Sequence, residues 1–184
     1  MATLAVASCA LFAGLATATQ TVVIGEVEVQ STGDAAYVEA MRAAIVRTTG
    51  RRSAATDPAF ATLIQDARRY VQIFRPPTGG NLARITLDVV AIERAIAALG
   101  QTTWSRERPV VLGVITAAPE GADPGTVRAQ LERAAIERGL PLRLSSAAAA
   151  GVTPGTVVTP EAALLAARRA GADVALVGAA DGAE

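Results

Sequence analysis

One segment constrains this chain more than any other. Thr103-Trp104-Ser105-Arg106-Glu107-Arg108-Pro109 runs into the apolar stretch Val110-Val111-Leu112-Gly113-Val114-Ile115. One pattern of strands and helices ends there and a second begins. The segment also holds the only tryptophan. Pro109 holds Arg108 away from the helical region, which suits entry into a strand. The 184 residues suffice for one ordinary domain or two small ones. We read two intimately packed sub-domains, 19–104 and 105–184, joined at this seam and preceded by a signal peptide over residues 1–18.

The leader rests on a short apolar block from Leu4 to Leu15, too short to span a bilayer. Ala16-Thr17-Ala18 follows with the small-x-small spacing of a cleavage site, and Thr19-Gln20-Thr21 is polar. Cleavage after Ala18 removes Cys9, the single cysteine, which suits an oxidising periplasm. Val6-Ala7-Ser8-Cys9 has the look of a lipoprotein box, but most of the apolar block lies after the cysteine rather than before it. The expected location is the periplasm, with no stable membrane span once the leader is gone.

In the first half, Val22 to Val29 reads as a strand, with Val23, Val27 and Val29 on one face and Glu26 and Glu28 on the other. Asp34 to Thr49 reads as a helix, with Val38, Met41 and Ile45 at helical spacing and Gly50 as a left-handed cap. Asp57-Pro58 starts another, a capping carboxylate followed by proline at the first helical position. Phe60, Leu63, Ile64, Ala67 and Val71 form its buried stripe. A strand over Tyr70 to Arg75, a turn cluster from Pro76 to Asn81 and alternating Ala83, Ile85 and Leu87 form a hairpin. Asp88 caps a helix burying Ile92, Ala95, Ile96 and Leu99 and ending at Gly100. The order is β-α-α-β-β-α.

The second half is more regular. Val110 to Ile115 is a continuous apolar run, as in a strand covered on both faces. Asp123-Pro124 starts a helix ending at Gly139, with Val127, Leu131, Ala134 and Ala135 on one side and Ile136 outside that stripe. Leu142 and Leu144 mark a short strand, Ala147 to Val158 a loop, Thr159-Pro160-Glu161 a helix start and Gly171 its end. Asp173 to Gly178 reads as a buried strand. This is β-α-β-α-β with a mostly parallel sheet, so the fold class is α/β. Three strands are few for such a sheet, and the natural chain is expected to continue beyond Glu184.

What is missing bounds the chemistry. The 17 basic residues are all arginine and balance 17 acids, which gives no electrostatic case for nucleic acid or an anionic membrane. Histidine is absent, and with it the usual general base and metal ligand. The loop Thr116 to Asp123 has neither spaced glycines nor a phosphate-binding lysine, and Glu120 and Asp123 are negative where a phosphate would sit. Glu26 and Glu28 read as a solvated face; Glu132 and Glu137 lie among Arg128, Arg133 and Arg138 on a charged helix surface. The serines lack any histidine or lysine partner. The expectation is no enzyme, no cofactor and no metal.

The doublets Arg51-Arg52, Arg68-Arg69 and Arg168-Arg169 read as surface solubility, with helix C-terminal dipole compensation at Arg68-Arg69 and Arg168-Arg169. Two further features have two readings each. Tyr70 and Phe74, on one strand face with Gln72, suit packing against a helix or a peptide-binding groove. Trp104, Arg106 and Arg108 suit a closed seam or an exposed hot spot for a protein partner. In the seam reading the indole is mostly buried and touches both halves, while an arginine pairs with a local acid or carbonyl.

The order of several segments resembles a known family. These are Gln30-Ser31, Arg47-Thr48-Thr49-Gly50, Asp57-Pro58, Arg69-Tyr70-Val71-Gln72 with Phe74-Arg75, and Trp104 through Arg108-Pro109 into Val111-Leu112. Arg138-Gly139-Leu140-Pro141 and Gly171-Ala172-Asp173 through Leu176-Val177-Gly178 complete the series. Together they resemble an uncharacterised proteobacterial envelope family, domain of unknown function number two thousand and sixty-six. The resemblance implies a secreted bacterial protein and supplies no catalytic residues. The second half is also similar to small α/β envelope domains that bind proteins, such as those of outer-membrane activators of peptidoglycan synthesis and of the Tol translocation protein. The function expected is therefore a periplasmic non-enzymatic interaction module whose partner is another envelope protein. The alternative is a small-ligand or glycan-binding module using the Ala147–Val158 loop.

Overall fold

The computed structural model describes residues 19–78, 80–117, 123–151, 153 and 158–179. The expected leader, with Cys9 and the Ala16-Thr17-Ala18 site, lies outside these residues. In chain order the strands and α-helices are β1 (Thr19–Thr21), β2 (Glu26–Val29), α1 (Asp34–Thr49), α2 (Ala61–Gln65), β3 (Val71–Arg75), β4 (Ala83–Leu87), α3 (Val89–Ala98), β5 (Glu107–Pro109), β6 (Val111–Ala117), α4 (Pro124–Arg138), β7 (Leu142–Ser146), α5 (Pro160–Arg169) and β8 (Val174–Ala179). Short 3₁₀ turns occupy Arg52–Ala55, Pro58–Phe60 and Ala67–Tyr70. The fold is mixed α/β, with two antiparallel sheets, β1-β5 and β2-β4-β3, and one parallel sheet, β7-β6-β8.

The observed order departs from the expected one in three places. The strand expected over Val22 to Val29 is broken near Gly25: β1 precedes it and pairs with β5, and Val23 is exposed. Close packing around the break requires glycine. A Cβ on Gly25 would lie 2.6 Å from the Val89 side chain and 2.8 Å from the Leu87 carbonyl oxygen. The helix expected from Asp57 onward is cut into a 3₁₀ turn, α2 and a second 3₁₀ turn. These tighter turns still bury Phe60, Leu63, Ile64 and Ala67 while redirecting the chain into β3. The seam itself contributes β5, a strand with no apolar alternation to announce it.

The first core is built on α1. Ala36, Ala40, Met41, Ala44 and Ile45 face Val27, Val29, Ile85 and Leu87 of the antiparallel sheet and Ile92 and Ile96 of α3. Asp57, Asp88 and Asp123 each accept a backbone N–H in the turn they begin, so these helix starts are satisfied from within. Leu99, expected on the buried side of α3, is exposed because the helix ends at Ala98.

β3 carries a bulge. Val71 pairs with Leu87, but Ile73 pairs with Thr86 and Phe74 with Ile85. Gln72 is the extra residue, and the slip returns Phe74 to the face of the buried Ile85 and Leu87. Tyr70, Gln72 and Phe74 therefore do not form one strand face. Tyr70 ends the preceding 3₁₀ turn and packs on the first core, while Phe74 meets Tyr37 of α1 edge-on at 6.1 Å.

The second core is smaller and rich in alanine: Val110, Leu112, Val114, Ala147, Ala166, Ala167 and Ala172. β6 is central, and α5 packs on the face carrying Leu112 and Val114. On the other face α4 packs against β7, and Val174 and Leu176 of β8 stay exposed. A Cβ on Gly113 would come within 2.6 Å of Leu144, so glycine lets the β7 leucines lean across β6. Beside them a cavity of about 230 Å³ opens between Leu131, Leu142, Leu144 and Leu176. β8, expected to be buried, is instead an edge: Leu176 is 59% exposed.

One carboxylate joins β2 to α1. Glu39 accepts the backbone N–H groups of Gln30 (3.3 Å) and Ser31 (3.1 Å). Desolvation raises its pKa, but the Ser31 side chain and the two amides outweigh this and hold it below the ordinary 4.5. A depressed carboxyl contributes stability that is complete above the unfolded-state value and is lost as pH falls through the folded one. We expect Glu39→Gln to be less stable than the parent at neutral pH, with the gap closing as the pH drops below 4.5. Urea denaturation of both chains at neutral and acid pH checks this; a pH-independent gap contradicts it.

Candidate functional site

The candidate site is the junction between the two halves, and its centre is Arg108. This side chain is 3% exposed, yet no acid pairs with it in a salt bridge among the described residues. It is satisfied by carbonyls. Nε donates to Ser105 O at 3.0 Å, Nη1 to Arg138 O at 2.8 Å and to Gly139 O, and Nη2 to Arg47 O. Arg47 is in the last turn of α1, while Arg138 and Gly139 close α4. One guanidinium thus sits on two helix C-termini, where unpaired carbonyls and the dipole favour a cation. Burial pulls its pKa below the ordinary arginine value, as it does for Arg47, but an arginine remains charged.

The surrounding chain is fitted to this contact. β5 places Arg108 opposite Gln20 of β1, and Val22 N–H donates to Arg106 O at 2.9 Å. Gly139 takes φ 64° to close α4, and a Cβ there would lie 2.8 Å from Arg108 Nη1. Arg47 reaches back to Glu26 O at 2.7 Å, tying α1 to β2. Two ion pairs flank the site, Arg106 with Glu93 at 3.3 Å and Arg52 with Glu137 at 3.4 Å. Glu137 thus bridges from α4 toward α1, whereas Glu132 makes the expected local pair with Arg128.

Trp104 does not fill the role expected of it. The indole is 47% exposed, so it is not mostly buried. The physical reason is that carbonyl-capping arginine takes the interior position and leaves the ring outside. The Arg108 guanidinium lies 4.7 Å from the ring centroid, a cation–π contact. The ring's other support is Gly50, the left-handed cap of α1 at φ 70°. A Cβ on Gly50 would come within 2.7 Å of the indole. The Trp104 backbone N–H donates to Thr48 O at 2.7 Å. The ring is therefore exposed on one side and fixed on the other.

The remaining sequence candidates lie elsewhere. Tyr70 and Phe74 belong to the first core and its sheet margin, with Phe74 and its neighbour Ile73 each 44% exposed. Glu26 and Glu28 are exposed, and Glu28 pairs with Arg84 at 2.8 Å. Part of the Ala147–Val158 loop lies outside the described residues. A cavity of about 230 Å³ opens at its first turn, lined by Ser145, Ala148, Ala149, Gly151 and Arg169. Sequence reading missed Glu39, whose partners are backbone amides, and missed which of Trp104 and Arg108 is buried. The glycines at 50 and 139 were the available signal, since each closes a helix against the seam.

Among the described residues no group of three His, Cys, Asp or Glu could hold a metal, and no helix is long and apolar enough to cross a membrane. Residues 16–105 match the model of a family described as Domain of unknown function (DUF8605), to which just under half of the chain is therefore similar. This overturns the resemblance drawn above, because it is a different family from number two thousand and sixty-six. No curated protein and no solved structure matches the chain.

Arg108→Met keeps the aliphatic stem and removes every donor. With helix-end carbonyls left unsatisfied, we expect a loss of about 3 kcal/mol in urea denaturation. Arg108→Lys should recover little, because an ammonium cannot fork between carbonyls on two helices. A Met variant with the parent's midpoint contradicts the assignment.

Proposed function

We propose that this chain is a non-enzymatic interaction module of the bacterial cell envelope, docking another envelope protein at Trp104. The observation that carries the reading is an indole that is half exposed yet immobilised between Gly50 and Arg108. Tryptophan and arginine dominate interface hot spots, and a side chain held in place before binding loses little entropy on docking. The ring presents a flat apolar face, so the partner surface is an apolar cleft. The leader pattern at residues 4–18 supports a periplasmic location. In finer detail, the reading is of two sub-domains, 19–104 and 105–184, that act as one body.

A second reading is a small-ligand module, favoured by the cavity beside Ser145 and Arg169. Its lining of hydroxyl and guanidinium suits a small acidic or polyhydroxylated molecule.

The test compares the parent with Trp104→Ala. Because the ring is only half buried, we expect a stability loss of about 1–2 kcal/mol. We also expect at least a tenfold loss in recovery of whatever envelope protein the parent captures, read by mass spectrometry. Equal recovery by both proteins overturns the docking role. Unfolding of the variant makes Trp104 a core residue and overturns the reading as well. Capture that survives Trp104→Ala and fails in Arg169→Ala favours the small-ligand alternative.

A further inference from the structure

We propose that the outer face of the antiparallel sheet binds a carboxylate between Arg75 of β3 and Arg84 of β4. The site goes beyond the Trp104 docking face and uses none of its residues. Sheet order and register set the chemistry. Arg84 stands opposite Glu28 on one side and opposite Arg75 on the other, so the three form one row across β2-β4-β3. Their neighbours Phe74 and Ile85 take the opposite, core-side face. Glu28 accepts from Arg84 Nη2 at 2.8 Å. Arg75 lies two strands from Glu28, about 10 Å across the sheet. It has no ion pair among the described residues. The next acid on this face, Glu26, stands opposite Thr86. The row thus holds two cations and one acid, with like charges directly opposed on β3 and β4. Such a cross-strand pair, with Cβ atoms about 5 Å apart, is repulsive. An anion seated between the two guanidiniums turns the repulsion into attraction.

The cavity says which anion. It measures about 360 Å³ and is walled by Glu28, Arg75, Thr78, Asn81, Leu82 and Arg84. Its two cations and one acid leave a single surplus positive charge, which matches a monoanion. A phosphate dianion would exceed that charge and meet Glu28. A guanidinium donates two parallel bonds to a planar carboxylate, and Arg75 has its whole fork to offer. Arg84 gives Glu28 one Nη2 bond and keeps its other donors. The side chains of Arg75, Thr78 and Asn81 make no hydrogen bond to another described residue. The Thr78 hydroxyl and the Asn81 amide therefore suit a hydroxyl or amide beside the carboxylate, and Leu82 gives an apolar wall. The volume is at the low end for small-molecule sites. It fits a small acid or the last residues of a peptide, which present the same carboxylate chemistry.

The experiment follows the backbone amide shifts of the 184-residue chain by NMR. The probes are N-acetylglycine, its neutral counterpart N-acetylglycinamide, glucuronate and inorganic phosphate, at one fixed salt concentration. The two acids separate a peptide terminus from a free sugar acid as the source, and saturation by either supports the site. We expect saturable shifts at Thr78, Asn81 and Arg84 in the millimolar range, none with the neutral amide, and weaker binding of phosphate. Arg75 is exposed, so Arg75→Gln should keep the fold and lose at least about tenfold in affinity, the worth of a charge-assisted pair. Glu28→Gln should bind the acids more tightly than the parent, because it frees Arg84 and adds to the surplus charge. A gain in affinity is a result that misfolding cannot produce. The proposal is overturned if neither acid saturates, or if the neutral amide or phosphate binds as well as the acids. Parent-like binding by Arg75→Gln, or weaker binding by Glu28→Gln, overturns it too.

Discussion

The buried guanidinium of Arg108 joins the ends of two helices from opposite halves of the molecule. A cation without a paired acid is an unusual thing to bury. Here the compensation comes from carbonyls that helix geometry would otherwise leave without donors. α1 belongs to the first core and α4 packs against α1 and against β7 of the parallel sheet, so their shared cap ties the first core to that sheet. Nearby details serve this contact. Gly139 keeps a Cβ away from Arg108, Gly50 makes room for the indole that covers it, and the β1-β5 ribbon delivers it.

The two cores are unequal partners in this arrangement. The first has Phe60, Met41 and several isoleucines around α1. The second is built largely from alanine around β6, buries little surface per residue, and leaves one sheet face partly bare. Apolar burial of that size offsets only part of the chain entropy lost on ordering it. Stability borrowed through the seam supplies what such a core lacks. The same imbalance explains why the exposed leucines cluster in the second half, where a small sheet has helices enough for one face and half of the other.

Much of the framework is legible in the sequence because it is local. Asp57, Asp88 and Asp123 announce helix starts, Gly50 and Gly139 announce helix ends, and alternation at Ala83, Ile85 and Leu87 announces a strand. What was not legible depends on contacts distant in the chain. The pairing of polar β1 with β5 leaves no hydrophobic pattern. The bulge at Gln72 has no signal of its own, since the slip is set by β4. At the seam the expected order of burial is inverted. Hydrophobicity favours tryptophan inside and arginine outside, and only the positions of two helix ends reverse that order. The family resemblance failed for a related reason: it rested on the order of short, individually unspecific segments. Residues 16–105 instead match a different family model.

The central claim is that the Arg108 contact makes the two cores one cooperative unit. Native-state hydrogen exchange on the parent protein tests it most directly, by comparing the slowest amides of α1 with those of β6. If the seam couples the cores, both sets open with the same free energy, that of global unfolding. If the β6 amides exchange through a separate, lower-energy opening while α1 stays protected, the second core stands alone and the claim is wrong.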